Sequence, residues 1–203
     1  MNLIEDIRQY LPKYLSEDST KKLLQDIGRF PDNITHSLYA KKAVSDTIIF
    51  QGDVLKSMPT INLPEPKIEK APSIILSNTC DIDLNNKRAF PSQICYAPIF
   101  QLEKYTALLE KNNVYKEQQL TQHIEKLKQQ HITQILYLPI GGGLYYEGVV
   151  FLDRINNCQN KVIIRENLSN ERLFSLSNYG HYLLLTKISI HFSRLQENID
   201  RDV

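Results

Sequence analysis

Tryptophan is absent from this 203-residue chain, and cysteine and glycine are scarce, with three Cys and seven Gly. Cys80, Cys95 and Cys158 form no CxxC pair and have no histidine at zinc-finger spacing. So odd and sparse a set excludes a disulfide framework and a structural zinc site, and predicts reduced thiols in a cytoplasmic protein. An excess of either charge is missing too. Lys and Arg number 24 against 23 Asp and Glu, a net charge of +1. No bulk positive field announces nucleic acid, which leaves only a local basic patch for that purpose. No apolar run approaches the ~18 residues of a membrane span; "ILYLPI" and "YLLLTKISIHF" are too short or too interrupted. The opening "MNLIEDIRQYLPKYLS" is charged every few residues, unlike a signal peptide.

The remainder reads as an ordinary globular chain, 42% hydrophobic and 23% charged, long enough for one substantial domain. Leu3, Ile7, Tyr10, Leu11 and Tyr14 keep helical spacing over residues 2–15. A second helix follows, capped by Ser16 or Asp18 and ended by Gly28 and Pro31. Residues 1–31 thus read as an N-terminal helical head, and the polar residues 32–46 as its connector. The body, 47–203, opens with "TIIFQGDVL" as a strand bent at Gly52-Asp53. The proline-rich "KSMPTINLPEPKIEKAP" reads as a long loop, and "SIILSN" and "QICYAPIF" as strands. Residues 101–131 read as a helical insertion, with Leu120, Ile124, Leu127 and His131 on one face. "QILYLPI", "YYEGVVFLDRI" and "RLFSLS" read as strands, "NNCQNK" as a turn and "VIIRE" as short and extended. A well-buried C-terminal helix over 178–197, capped by Ser177 or Asn178, closes the chain. Short strands with intervening helices predict an α+β fold, a small and strongly bent β-barrel with helical additions.

Candidate chemistry centres on "ILSNTCDID", where an apolar run ends in dense polar groups. Asn78, Thr79, Cys80 and Asp81 are the candidate catalytic residues. One reading makes them a strand end whose side chains bond nearby backbone; the other makes them a site held at the end of a central strand. Cys80 as a nucleophile needs a base, and its C-terminal candidates, His181 and His191, are far off in sequence. Helical spacing with Leu184 and Ile188 makes His191 a packed core residue. Asp81 and Asp83 share one side of a strand, but two acids do not make a metal site, and none is assigned. Lys70 before this strand, and Lys87 and Arg88 after it, are the candidate phosphate ligands; any one of them taken singly reads more readily as solvated charge, as do Lys67, Arg165, Arg172 and Arg194. "GGG" at 141–143 lacks the Lys-Ser/Thr of a phosphate-binding loop and reads as a hairpin tip, so no cofactor is expected.

The order "GDVL", long loop, "APSIILSN", "CYAPI" resembles the MazF/PemK-like toxins over roughly residues 48–100. The resemblance implies an SH3-like barrel and a metal-independent endoribonuclease, often a homodimer, neutralised by an antitoxin. It implies an Arg in the loop before the second strand and a Ser or Thr after the "API" strand. Here the loop carries Lys67 and Lys70, and Phe100 follows "API". The chain also resembles bacterial and phage-associated proteins that pair an S-x-T-C-D segment with a terminal K-x-x-x-H-F-x-R helix, here Lys187 to Arg194.

Two functions follow. In the first, a PemK-like barrel binds RNA and, if it is an enzyme, cuts it with Asp81 as general base. In the second, the barrel is a non-catalytic scaffold whose helical head and insertion bind a protein partner. Neither involves a membrane.

Overall fold

The computed structural model describes residues 15–42 and 45–193. The helix expected over 2–15 lies outside them except for Leu15, as do Arg194 and the rest of the terminal helix beyond Ser193. Helix α1 (Glu17–Gly28) starts where Ser16 accepts the Ser19 N–H, at 3.2 Å, with Glu17 and Asp18 in the first turn where the helix dipole favours them. Its Leu23 is buried against Tyr179 of the C-terminal helix α6 (Asn178–Ser193), so this part of the head packs on the body.

Residues 32–46 are more than a polar connector. Asn33 donates to the Asp26 carbonyl (2.8 Å) and Ser37 to the Asp26 carboxylate (2.9 Å), which folds the chain into the short helix α2 (Ile34–Ser37). Leu38 is fully buried in the main core, and Tyr39 forms a bridge to Leu176.

The first strand lies later than "TIIFQGDVL" suggests. Gly52 turns the chain at φ +90°, and β1 runs over Val54–Asn62. The proline-rich stretch is not a loop: it folds back as β2 (Glu65–Ile75), antiparallel to β1. Two of its prolines sit where a missing N–H does no harm. Lys56 and Ser57 both face Pro72 across a bulge, between the pairs Leu55–Ser73 and Met58–Ala71. Pro59 directs its carbonyl, and hence its nitrogen, to the outer edge of β1, where the Tyr96 hydroxyl donates to it.

Strand β3 (Gln93–Gln101) is the hub. It pairs with β2 through Tyr96–Pro98 on one side. On the other it pairs with β5 (Gly148–Phe151) and then with β6 (Asn156–Gln159), the latter formed by residues expected to turn. With β4 (Ile135–Leu138) and β7 (Arg172–Phe174) the order is β4-β5-β3-β2-β1-β7, β6 lying off this path. The product is an α+β fold on a seven-stranded antiparallel sheet. The sheet bends, because the Ile61 N–H at the outer edge of β1 reaches Asn156 Oδ1 of β6 at 2.8 Å. It does not close: the β1–β6 contact runs from the Ile61 backbone to the Asn156 side chain rather than forming a ladder, and β7 meets β1 only at Val54 and Leu55. The strand pairing therefore shows an open, bent sheet where a barrel was expected.

Strand alternation divides the core. Val54, Ile74, Leu136 and Leu138 face Leu183 and Leu184 of α6. Leu55, Ile75, Ile94 and Tyr96 face Ile82 and Leu168, the latter on the short α5 (Leu168–Glu171). Ile135, Tyr137 and Val149 face the insertion, helices α3 (Leu102–Lys111) and α4 (Glu117–Lys128), through Leu102 and Leu127. Leu120 and Leu127 are buried as their spacing predicts, but His131 falls beyond the helix and is exposed. Helix α6 is covered on one face only: Leu183, Leu184 and Lys187 are buried, whereas Leu185, Ile190 and Phe192 are exposed. Ser177 caps it, accepting the Gly180 N–H at 3.0 Å. Among the described residues no helix is long and apolar enough to cross a membrane.

Candidate functional site

The segment after β2 spends most of its polar groups on its own shape. Asn78 Oδ1 accepts the Cys80 N–H (2.9 Å) and Asp83 Oδ1 the Asn85 N–H (2.9 Å), two side-chain-closed turns. Ser77 Oγ accepts the Cys95 N–H, tying the segment to β3. Between the turns Ile82 is buried, and its carbonyl accepts from Asn160 (2.8 Å) and Arg165 (3.2 Å). Thr79 Oγ1 accepts the Gln51 N–H at 3.0 Å. The Gln51 side chain in turn contacts Leu76 O and, at 3.2 Å, His181 Nε2. His181 is half-buried and its pKa is lowered by burial. This His181–Gln51–Thr79 link joins three distant parts of the chain, and no sequence spacing announces it.

Cys80 is exposed, contrary to the buried thiol a structural cysteine would be. Asp81 pairs with Arg88 at 2.7 Å, in the open. Among the described residues no three His, Cys, Asp or Glu could hold a metal ion. Lys87 is exposed on the same loop. Lys70 is not part of this region: it sits opposite Pro59 on β2, five residues before the strand's end, a separation of roughly 17 Å.

A second region is better shaped to hold a ligand. Beyond Ser73–Pro98 the strands β2 and β3 diverge, and the β1–β2 hairpin curls over the gap. The cleft between them, about 360 Å³, is lined from the hairpin by Thr60, Asn62, Glu65, Lys67 and Glu69. Pro98, Ile99 and Phe100 form its other wall, and Arg154 and Asn156 its end. Arg154, in the excursion between β5 and β6, holds its guanidinium 5.5 Å from the Phe100 ring centre and 5.2 Å from that of Phe151. Among the described residues no carboxylate pairs with it. Lys67 and Glu69 form an exposed ion pair at 2.5 Å. Sequence reasoning missed Arg154, which lies in "FLDRI" just after a strand. The signal available was the alternation that puts Phe100 and Phe151 on one side of adjacent strands, with a cation three residues on.

Arg172 is no surface charge. Its Nε lies 2.9 Å from Asp53 Oδ2, both side chains essentially inaccessible, and its other nitrogens donate to Ser45 O and Ile48 O. Burial pushes the Asp53 carboxyl up, against the opposing pull of the Phe50 N–H, Ser175 and Arg172. The arrangement ties residues 45–53 to β7 and is structural.

No protein-family model matches this chain, and no curated protein matches it.

Proposed function

We propose that the protein binds single-stranded RNA in the cleft between the β1–β2 hairpin and β3, on an open, bent sheet that serves as a PemK-like scaffold. The observation that carries this reading is Arg154 lying across Phe100 and Phe151 without a carboxylate partner, at the end of an open cleft. A guanidinium for phosphate beside aromatic rings for bases is the chemistry that single-stranded nucleic acid needs. The resemblance to MazF/PemK-like toxins supports it: the basic residue ahead of "APSIILSN" and the residue after "API", Lys67 and Phe100, both line this cleft, although Lys67 lies within β2 rather than in a loop before it. Arg154 supplies the planar fork that the lysines of the hairpin lack. If the RNA is cut, Glu65, which lines the cleft, is the general base there, since Asp81 is engaged by Arg88 and Glu69 by Lys67. The free thiols of Cys80, Cys95 and Cys158 fit a reducing compartment, the cytoplasm.

The test is a gel shift with mixed single-stranded and structured RNAs, in EDTA and in added Mg²⁺. Wild-type protein should shift single strands in a salt-sensitive way. Arg154→Ala and Phe100→Ala should lose the shift, while Asp81→Ala keeps it. No shift by wild-type protein with any RNA overturns the reading.

A second reading, the non-catalytic module with a protein partner, antitoxin or second copy, draws on the exposed Leu185, Ile190 and Phe192 of α6. Pull-down by wild-type protein that fails with Phe192→Ser favours it.

A further inference from the structure

The helical insertion looks at first like an elaboration that only covers the sheet. Its aromatic residues suggest otherwise. The ring of Phe151 lies 5.5 Å from Phe100 and 5.3 Å from Tyr105, one turn into α3. The Tyr105 hydroxyl meets His123 Nε2 of α4 at 3.0 Å, with the rings 5.9 Å apart. Tyr115, between the two helices, stacks on His123 at 4.9 Å and 28°. A continuous line of rings thus leaves the Arg154 end of the cleft and crosses both helices. Phe100, Phe151, Tyr105 and His123 are half-buried, and Tyr115 is exposed.

Leu102 and Leu127 hold the insertion to the sheet, with Ile124, Phe100, Tyr105 and Phe151 packed against them; Tyr115 lies outside that cluster, so the outer end of the line is not needed merely to attach it. A cation stands at each end, Arg154 at one and Lys116, next to Tyr115, at the other. Neither has a carboxylate partner among the described residues. Half-buried rings in a row between unpaired cations form a stacking platform with phosphate ligands at its ends.

We infer that the RNA track continues from the cleft along Phe151, Tyr105, His123 and Tyr115, so that the helical insertion is the far half of a single-strand binding surface. The inference rests on the cleft reading, and the experiment separates the two. Fluorescein-labelled U4 and U12 are titrated by anisotropy against wild type, Tyr115→Ala, Tyr115→Phe and Arg154→Ala. U12 should bind about tenfold more tightly than U4, because it reaches further stacking sites. Tyr115→Ala should weaken U12 by about tenfold and leave U4 unchanged, Tyr115→Phe should restore U12, and Arg154→Ala should weaken both. If U4 and U12 bind equally, or Tyr115→Ala weakens neither or both alike, the extension is wrong and the cleft stands. If neither oligonucleotide binds wild type, the cleft reading fails and the track with it.

Discussion

The pairs Asp53–Arg172 and Asp81–Arg88 are the same chemistry in opposite settings. The second is the shorter, 2.7 Å against 2.9 Å, but its side chains are 63% and 39% exposed where those of the first are 0% and 3%. Distance does not rank them; solvent does. Water competes for Asp81 and Arg88 and leaves their pairing worth about 0–1 kcal/mol. Asp53 and Arg172 have no water to return to, so every partner must be supplied by the fold, and breaking the set is costly even if forming it gains little. The exposed pair shapes a loop, whereas the buried one decides how the chain crosses itself.

The largest effect should follow from stranding the buried carboxylate. Arg172→Ala should cost about 3–5 kcal/mol in urea denaturation. The double variant Asp53→Ala/Arg172→Met should lose less than Arg172→Ala alone. A double variant that loses as much would show that the charge left behind is not the source of the damage.

Gly52 stands immediately before Asp53 at φ +90°, where an added Cβ would lie 2.8 Å from Leu176 Cδ1. Gly52→Ala should therefore cost about 1–3 kcal/mol, from strain and overpacking together. A change within error in the denaturation midpoint would place the turn outside the buried unit.

Lys187 extends the comparison to a buried amine with no acid paired to it among the described residues. Its Nζ lies 2.6 Å from Ile132 O and 2.5 Å from Ile135 O, and burial lowers its pKa from 10.5 to about 7. A neutral amine has two N–H groups to donate, one for each carbonyl. Between pH 7 and 10.5 the unfolded chain holds this proton and the folded chain does not. The contribution of Lys187 to stability therefore rises with pH across that window, by about 1 kcal/mol per unit. Denaturation at pH 7, 8 and 9 should show this slope in wild type and its loss in Lys187→Met. Equal slopes would mean that the amine keeps its charge inside.

The smallest effect belongs to the exposed pair. Arg88→Ala should change stability by under about 1 kcal/mol, and added salt should reduce even that. A larger loss would mean that the loop from Asn78 to Arg88 is held by more than its turns.

Some of this was legible in residue order. The Ser16 cap, the paired faces of Leu120 and Leu127, and the alternation of "QICYAPIF" are local rules, satisfied by neighbours three, four or two positions away. The proline-rich hairpin misled because proline is excluded only where its nitrogen must donate. Whether Pro59 and Pro72 face a ladder or an edge depends on strands elsewhere. The candidate loop was legible as a polar strand end whose side chains bond nearby backbone, as Asn78 and Asp83 do in closing turns, but not in the meeting of Thr79 with Gln51, a contact between distant parts of the chain. Arg154 and Arg172 carry the same side chain, and nothing in their flanking residues tells that one lies over open aromatic rings and the other is buried on Asp53.

The sequence by itself determined the α+β class, most helices, the hub strand and the absence of a disulfide or zinc-finger pattern, since these follow from spacing and counts. Tertiary structure alone decided where the cleft opens, which rings line up beside it, and which charges are buried or left free. Those depend on the divergence of β2 from β3, the curl of the hairpin and the return of α4 onto the sheet, each set by contacts between residues far apart in the chain.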